Sequence, residues 1–159
     1  MTRRVFFSFH YRNDVWRANQ VRNSWVTQGK EAAGFVDSAD FEKIEKEGDA
    51  AIKKWIDSQL IGTSVTVVLI GSDTNSRPYV QYELQKSYAK GNGIIGVHIH
   101  KLKDQNKNTS TKGDTTFGEL GKDSQGNPVY FFQIAKVYDY VDDDGYIKLG
   151  NWIEGSAPK

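Results

Sequence analysis

The chain has 159 residues, the size of a single domain with one hydrophobic core. Its 38% hydrophobic and 26% charged residues are typical of a globular protein and exclude a disordered or fibrous one. A net charge of +1 gives no basic field for nucleic acid, so we expect no nucleic-acid partner, and the absence of cysteine excludes disulfides and thiolate metal sites.

Strands and helices alternate along the chain. Runs of apolar and β-branched residues predict strands at residues 5–9, 34–37, 65–70, 94–99 and 129–132, of which 34–37 is weak. Apolar residues at intervals of three or four predict helices at residues 15–28, 49–60, 77–90 and 135–141. Asn13 or Asp14 is expected to cap the first helix, whereas the charged residues 38–49 have no assigned structure.

The order of these elements predicts an α/β fold with a mostly parallel sheet covered by helices on both faces. Residues 101–128 are dominated by polar residues and glycine, so we interpret them as a polar insertion loop. Ligands of such sheets bind outside the carboxyl ends of the strands. Candidate site residues therefore lie just after each strand, at 8–14, 37–41, 72–75 and 98–100.

Nothing in the sequence indicates a membrane or secreted protein. The longest apolar run, residues 65–70, is far shorter than the roughly 20 residues of a membrane span. The N-terminus lacks the apolar stretch and cleavage site of a signal peptide. We therefore expect a cytoplasmic protein without a membrane partner.

Several common enzyme classes lack their motifs here. No G-x-x-x-x-G-K-[ST] loop is present and no G-x-G-x-x-G follows the first strand, which disfavours P-loop nucleotide hydrolases and ordinary dinucleotide dehydrogenases. The paired acids of a phosphoacceptor receiver domain and the G-x-S-x-G turn of a serine hydrolase are also missing.

Tyr79 and Glu83 form a candidate pair on the third predicted helix. They are four residues apart and therefore share one face, offset by one residue from the apolar stripe that begins at Val80. This offset predicts a carboxylate at the boundary between core and surface, near the cleft at the strand ends. The simpler interpretation, a solvated helix acid with Lys86 and Lys90 as neighbours, is favoured by spacing alone.

Two further features have ordinary structural explanations. His98 and His100 point the same way on one predicted strand, but no acidic residue at ligand spacing accompanies them. We expect sheet packing or a pocket wall there, and no metal site. Residues 142–145, Asp-Asp-Asp-Gly, lack the spaced acids and final Glu of a calcium loop and are expected to form a solvated turn.

Six segments, spread over nearly the whole chain, carry a family resemblance. VFFSFHY (5–11) and RPYVQYE (77–83) resemble the first strand and the W-x-x-x-E helix of TIR domains. With them, four further segments are similar to the TIR-like ThsB family of the bacterial Thoeris anti-phage system: VRNSWV (21–26), TSVTVVLIGS (63–72), KGNGIIGVHI (90–99) and VYDYVDDDGY (137–146).

The resemblance implies a single TIR-like domain over residues 1–159 with a flavodoxin-like sheet. Members of the family cleave the nicotinamide–ribose bond of NAD and release an ADP-ribose-derived, often cyclic, signal nucleotide that activates a separate effector protein. By resemblance we expect NAD as the substrate, no further cofactor, a phage component as the trigger, and a homo-oligomer on activation.

The resemblance also assigns site residues. The catalytic glutamate of the motif falls on Glu83, and its aromatic residue falls on Tyr79, where many TIR domains have Trp. The expected substrate-binding residues are Ser8, His10, Tyr11, Phe41, Ser72 and Tyr79.

Two other functions remain open at the level of sequence. The chain could be a non-catalytic TIR-like adaptor that self-assembles or senses a phage protein, because residues 38–49 occupy the position of the assembly loop of TIR domains. It could also be a flavodoxin-fold binder of a small molecule, although no phosphate or flavin loop supports this.

Overall fold

A five-stranded parallel sheet forms the centre of the structure, a computed structural model that describes residues 3–28, 30–35 and 38–158. The strands are β1 (Arg4–Ser8), β2 (Glu31–Ala33), β3 (Val65–Ile70), β4 (Gly93–His98), β5 (Gly121–Lys122), β6 (Pro128–Val129) and β7 (Lys136–Asp139). The sheet order is β2-β1-β3-β4-β7 with every neighbouring pair parallel, whereas β5 and β6 form a separate antiparallel pair. The predicted α/β, flavodoxin-like arrangement is confirmed.

Helices flank this sheet. They are α1 (Tyr11–Val26), α2 (Ser38–Lys46), α3 (Asp49–Leu60), α4 (Pro78–Lys90), α5 (Phe131–Ile134) and α6 (Gly145–Ser156). Both β3 and α3 have the predicted bounds, and residues 142–144 form the predicted turn before α6. Within the described ranges, no helix combines the length and the apolar character that a membrane crossing requires.

The helices cover both faces of the sheet. Side chains of α1 and α6 share a buried cluster with Val67 of β3. Leu84 of α4 shares a second cluster with Val68, and Ile56 of α3 shares a third with Phe6 of β1. Because successive strand residues point to opposite faces, α3 and α4 lie on the face opposite α1 and α6.

Alternation along β1 aims a polar residue at α4. Phe7 belongs to the cluster of α1, whereas Phe6 belongs to that of α3. Ser8 therefore faces the α3/α4 side, at the last position of β1, where it pairs in register with Val68. The carboxyl end of β1 thus presents a fully buried hydroxyl to α4.

The strand predicted at residues 34–37 is wrong, because β2 lies three residues earlier. Gly34 ends β2 with a φ of +91°, a left-handed conformation that favours glycine. A Cβ at Gly34 would lie 2.3 Å from the carbonyl oxygen of Phe7, so a side chain does not fit there. Residues 36 and 37 of the predicted strand lie outside the described residues.

The predictions for residues 129–132 and 135–141 are wrong over most of their length: β6 already ends at Val129 and is followed by helix α5, and a strand, β7, replaces the predicted helix. Phe131 begins α5 and is buried in the same cluster as α4. The following residues form β7, whose Tyr138 stacks on Trp152 of α6 with ring centroids 4.2 Å apart. Tertiary packing therefore decides the structure of these short segments, which have weak periodicity.

The first turn of α1 differs from its prediction as well. His10 is the N-cap residue and forms no side-chain cap, so the prediction that Asn13 or Asp14 caps this helix is wrong. Asp14 lies inside the first turn and is fully buried. The unassigned charged stretch forms α2 and leads into α3.

Several contacts attach the polar insertion to the rest of the domain. Residues 101–120, all of them described, contain no helix or strand. The Arg17 guanidinium of α1 donates to the carbonyl oxygens of Leu102 and Asn108, at 2.8 and 2.9 Å. Phe117 is buried in the α4 cluster. The insertion therefore covers the domain in a fixed position.

Candidate active site

A cavity of about 270 Å³ opens at the carboxyl edge of the sheet, between the end of β1, the start of α1 and helices α2, α3 and α4. This is the position in which parallel sheets bind ligands. Five of the residues predicted for the site line the cavity: His10, Tyr11, Phe41, Tyr79 and Glu83. The fold therefore brings together residues that are more than 70 positions apart in the sequence.

Glu83 is buried at the inner end of this cavity. Pro78 begins α4, and the apolar Val80 and Leu84 pack into the core, which turns Glu83 toward β1. Glu83 is only 6% exposed to solvent, and its Oε1 accepts a hydrogen bond of 2.7 Å from Ser8 Oγ. No salt bridge to Glu83 forms within the described part of the chain. The interpretation of Glu83 as a solvated helix acid is therefore wrong.

Burial raises the pKa of Glu83 to about 8, while the hydrogen bond from Ser8 acts in the opposite direction. Desolvation disfavours the charged form of a carboxyl when no cation compensates it. Glu83 is consequently largely protonated at neutral pH when no cation lies beside it. A cation bound in the cavity would favour ionisation and release a proton.

The two serines predicted to bind substrate lie elsewhere. Ser8 lies behind Glu83, fully buried, and is not among the residues that line the cavity. Ser72 lies half-buried in the turn after β3 and does not line the cavity either. The structure thus places Ser8 next to the carboxyl of Glu83 and leaves Ser72 apart from this group.

Aromatic rings form one wall of the cavity. Tyr11, at the start of α1, stacks on Phe41 of α2 with centroids 3.9 Å apart and an interplanar angle of 15°. Phe9 also stacks on Tyr11, with ring centroids 5.8 Å apart. These stacked rings make this side of the cavity apolar.

Tyr79 of α4 lines the cavity and connects α4 to α3 through a hydrogen bond. Its hydroxyl donates to Asp49 Oδ1 at 2.8 Å, and this hydrogen bond raises the pKa of Tyr79. The phenol stays neutral, and its ring contributes to the cavity lining. Tyr79 and Glu83 both line the cavity, but only Tyr79 lies at the edge of the core, because Glu83 is buried.

Sequence reasoning assigned no individual role to three residues of the cavity lining, two arginines and one tryptophan. Arg12 and Arg77 line the cavity and form salt bridges with Glu45 and Asp73 respectively. Both arginines lie within or just after segments that follow strands, which is the signal that could have found them. Trp55 of α3 also lines the cavity.

The two strand histidines lie outside this cavity. His98 and His100 are buried with their rings edge to face, 5.6 Å apart between centroids. Burial lowers the pKa of both imidazoles. The described residues contain no cluster of three or more potential metal ligands. The histidines pack within the sheet region, in agreement with the structural explanation given above.

Comparison with known proteins identifies the family. Residues 6–104, more than half of the chain, match the family model described as "Thoeris protein ThsB, TIR-like domain". The chain belongs to the ThsB family of TIR-like domains. A curated ThsB relative from Bacillus cereus (strain MSX-D12) is 38% identical over an alignment of 191 residues, which covers 96% of this chain and all of the relative. The relative is named "Putative cyclic ADP-D-ribose synthase ThsB1".

This result confirms the family that the sequence segments indicated. The matched range contains the whole cavity lining, from β1 through α4. The relative extends the similarity over the insertion and the C-terminal elements. The site described above therefore belongs to the part of the ThsB domain that the family model matches.

Proposed function

We propose that this ThsB-family protein cleaves the nicotinamide–ribose bond of NAD and produces an ADP-ribose-derived, cyclic signal nucleotide. The name of the relative supports the cyclisation. The observation that carries the proposal is Glu83, a buried carboxyl that lines a cavity and has no cationic partner within the described residues. NAD is the substrate, and we propose no further cofactor and no metal ion.

A single carboxylate is sufficient for this bond cleavage. Most glycoside hydrolysis needs a second carboxyl to protonate the leaving oxygen. Nicotinamide is attached through a pyridinium nitrogen, so the electron pair of the broken bond neutralises the leaving group without a proton. The ribose C1′ becomes positively charged, and Glu83 stabilises that charge when it is ionised and close to the ribose hydroxyls.

The substrate supplies the missing cation. Because burial holds the pKa of Glu83 at about 8, its carboxyl is largely neutral at pH 7 before the substrate binds. The pyridinium ring brings a positive charge into a low-dielectric cavity, which favours the carboxylate. Substrate binding and the ionisation of Glu83 are therefore coupled in this account.

The other cavity groups match the remaining parts of NAD. Arg12 and Arg77 are the guanidinium groups of the cavity lining, suited to the pyrophosphate. The stacked Tyr11 and Phe41 offer a wall for a heterocyclic ring. In cyclisation, a ring nitrogen of the adenine attacks C1′ in place of water, so the adenine must fold back toward Glu83.

The cavity is small for the whole dinucleotide. Its volume of about 270 Å³ lies below the roughly 300–1,000 Å³ typical of sites for small molecules. We propose that it holds the nicotinamide and its ribose, and that a second copy of the chain covers the adenine half. The active form is then a homo-oligomer that a phage component triggers, and the signal nucleotide that it releases activates a separate effector protein.

Nucleotide analysis of infected cells tests the proposal. Cells that express the protein are infected with phage, and their nucleotides are measured by mass spectrometry. We expect NAD to fall and an ADP-ribose-derived cyclic product to appear after infection. Unchanged NAD together with self-association of the protein would overturn the proposal and favour the non-catalytic adaptor.

A further inference from the structure

We infer that Ser8 is a positioning residue: its hydroxyl holds Oε1 of Glu83 so that the second carboxyl oxygen is presented to the ribose. This inference rests on the proposed function and reassigns Ser8 from a contact with substrate to a contact with the catalytic carboxyl. The distance of 2.7 Å between Ser8 Oγ and Glu83 Oε1 is that of a well-formed O–H···O hydrogen bond.

The rigidity of Ser8 supports this role. Ser8 is the last residue of β1, paired in register with Val68, and is fully buried in the sheet. The glutamate side chain has three rotatable bonds, so its position depends on what it contacts. A donor fixed in the central sheet therefore selects one orientation of the carboxyl before substrate arrives.

No other hydrogen bond to the carboxyl of Glu83 forms within residues 3–28, 30–35 and 38–158. The charged and titratable groups that face the cavity from the other elements are His10, Tyr11, Arg12, Glu45, Arg77 and Tyr79. Arg12 pairs with Glu45, and Arg77 pairs with Asp73. Burial and then Arg77 lower the pKa of His10, which keeps its imidazole neutral near neutral pH. Ser8 is thus the group that selectively supports the carboxylate.

Ser8→Ala tests the inference through the pH dependence of turnover. The hydrogen bond favours the ionised form, so its loss makes Glu83 harder to ionise. We expect the acid limb of the kcat profile for nicotinamide release to move upward by about 1–2 pH units, with a fall in kcat and little change in KM. Ser8→Thr, which keeps the hydroxyl, should restore the wild-type limb.

Ser87→Ala is the matched control. Ser87 is also a fully buried serine next to Glu83, but its hydroxyl donates to the backbone carbonyl of Glu83 at 2.7 Å and bonds to Thr66 Oγ1. Removing it deletes a buried hydroxyl one turn away without touching the carboxyl. We expect no movement of the acid limb, and equal movement in both variants would overturn the inference.

A titration without substrate separates the inference from the proposed function. The carboxyl of Glu83 is followed by carbon NMR in the wild type and in Ser8→Ala, with Ser8→Cys as a near-isosteric replacement if the alanine variant does not fold. A midpoint higher by about 1–2 pH units in the variant supports the inference. An unchanged midpoint overturns it, whereas infected cells in which neither NAD nor a cyclic product changes overturn the proposed function.

Discussion

Two buried carboxyls, Asp14 and Glu83, lie at the same edge of the sheet in different surroundings. Asp14 of α1 has the Arg17 guanidinium 3.8 Å away, a hydrogen bond from Asn13 at 3.3 Å, and Thr74 at 3.5 Å. Glu83 of α4 has a single neutral donor and an open cavity. Burial raises the pKa of both, but to about 6 for Asp14, where Arg17 opposes it, and to about 8 for Glu83.

The difference between them separates a structural acid from a reactive one. The cation beside Asp14 also binds the carbonyl oxygens of the insertion, so this pair holds two segments together. A Cβ at Gly71 would lie 2.2 Å from the Asp14 carboxylate, so there is no room there for a ligand. Glu83 has a cavity where Asp14 has Arg17. In our account, the pyridinium of NAD takes that place.

The largest effect on stability is expected when Asp14 loses its cation. Arg17→Met leaves a buried carboxyl unpaired and removes the two hydrogen bonds to the insertion, so the free energy of unfolding should fall by about 3–5 kcal/mol in urea denaturation at pH 7. Arg12 lies on the same helix, but its salt bridge with Glu45 is exposed to solvent, so Arg12→Met should lower the free energy of unfolding by less than about 1 kcal/mol. Similar losses in the two variants would contradict the structural role of Arg17.

Glu83→Gln should stabilise the protein at high pH. The folded pKa of about 8 lies above the unfolded value of 4.5, so the wild type is destabilised as pH rises from about 4.5 through 8. Glutamine keeps the contact with Ser8 and carries no charge, so we expect a gain of about 2–4 kcal/mol at pH 9 and none at pH 4. Urea denaturation at both pH values measures it, and equal stability at pH 9 would show that Glu83 is solvated.

A smaller pH effect is expected for Asp14. Its folded pKa of about 6 also lies above the unfolded value, so its contribution is complete at low pH and is lost as pH rises through about 6. Between pH 4 and 7 the wild type should lose about 1–2 kcal/mol more stability than Asp14→Asn, whereas the decline above pH 7 should be shared. A shared decline over the whole range would place the titration on Glu83 alone.

Sequence reasoning identified the sheet but not the state of its acids. The continuous β-branched run at Val65–Ile70 and the apolar spacing in α3 were sufficient to predict the bounds of both elements, because their buried residues recur over the whole element. The predictions for the short elements after residue 128 were wrong, because single contacts, such as the burial of Phe131, determine whether these segments form a helix or a strand.

The site shows the same limit. Spacing alone favoured a solvated Glu83, and only the resemblance pointed to its role. The contact with Ser8 joins residues 75 positions apart, on a strand and a helix whose relative placement no local pattern specifies. Likewise, nothing in the sequence of α1 showed that Asp14 is buried and paired with Arg17 instead of capping the helix. The roles of the site residues stay predictions.

Nicotinamide release from NAD, measured side by side for the wild type, Glu83→Gln and Asp14→Asn at high protein concentration, tests the central claim most directly. We expect Glu83→Gln to lose about 10²–10⁴ in rate, because the group that stabilises the developing charge on C1′ is gone. Asp14→Asn, in its folded form, should retain a rate close to that of the wild type. Full turnover by Glu83→Gln, or equal loss in both variants, would contradict the account.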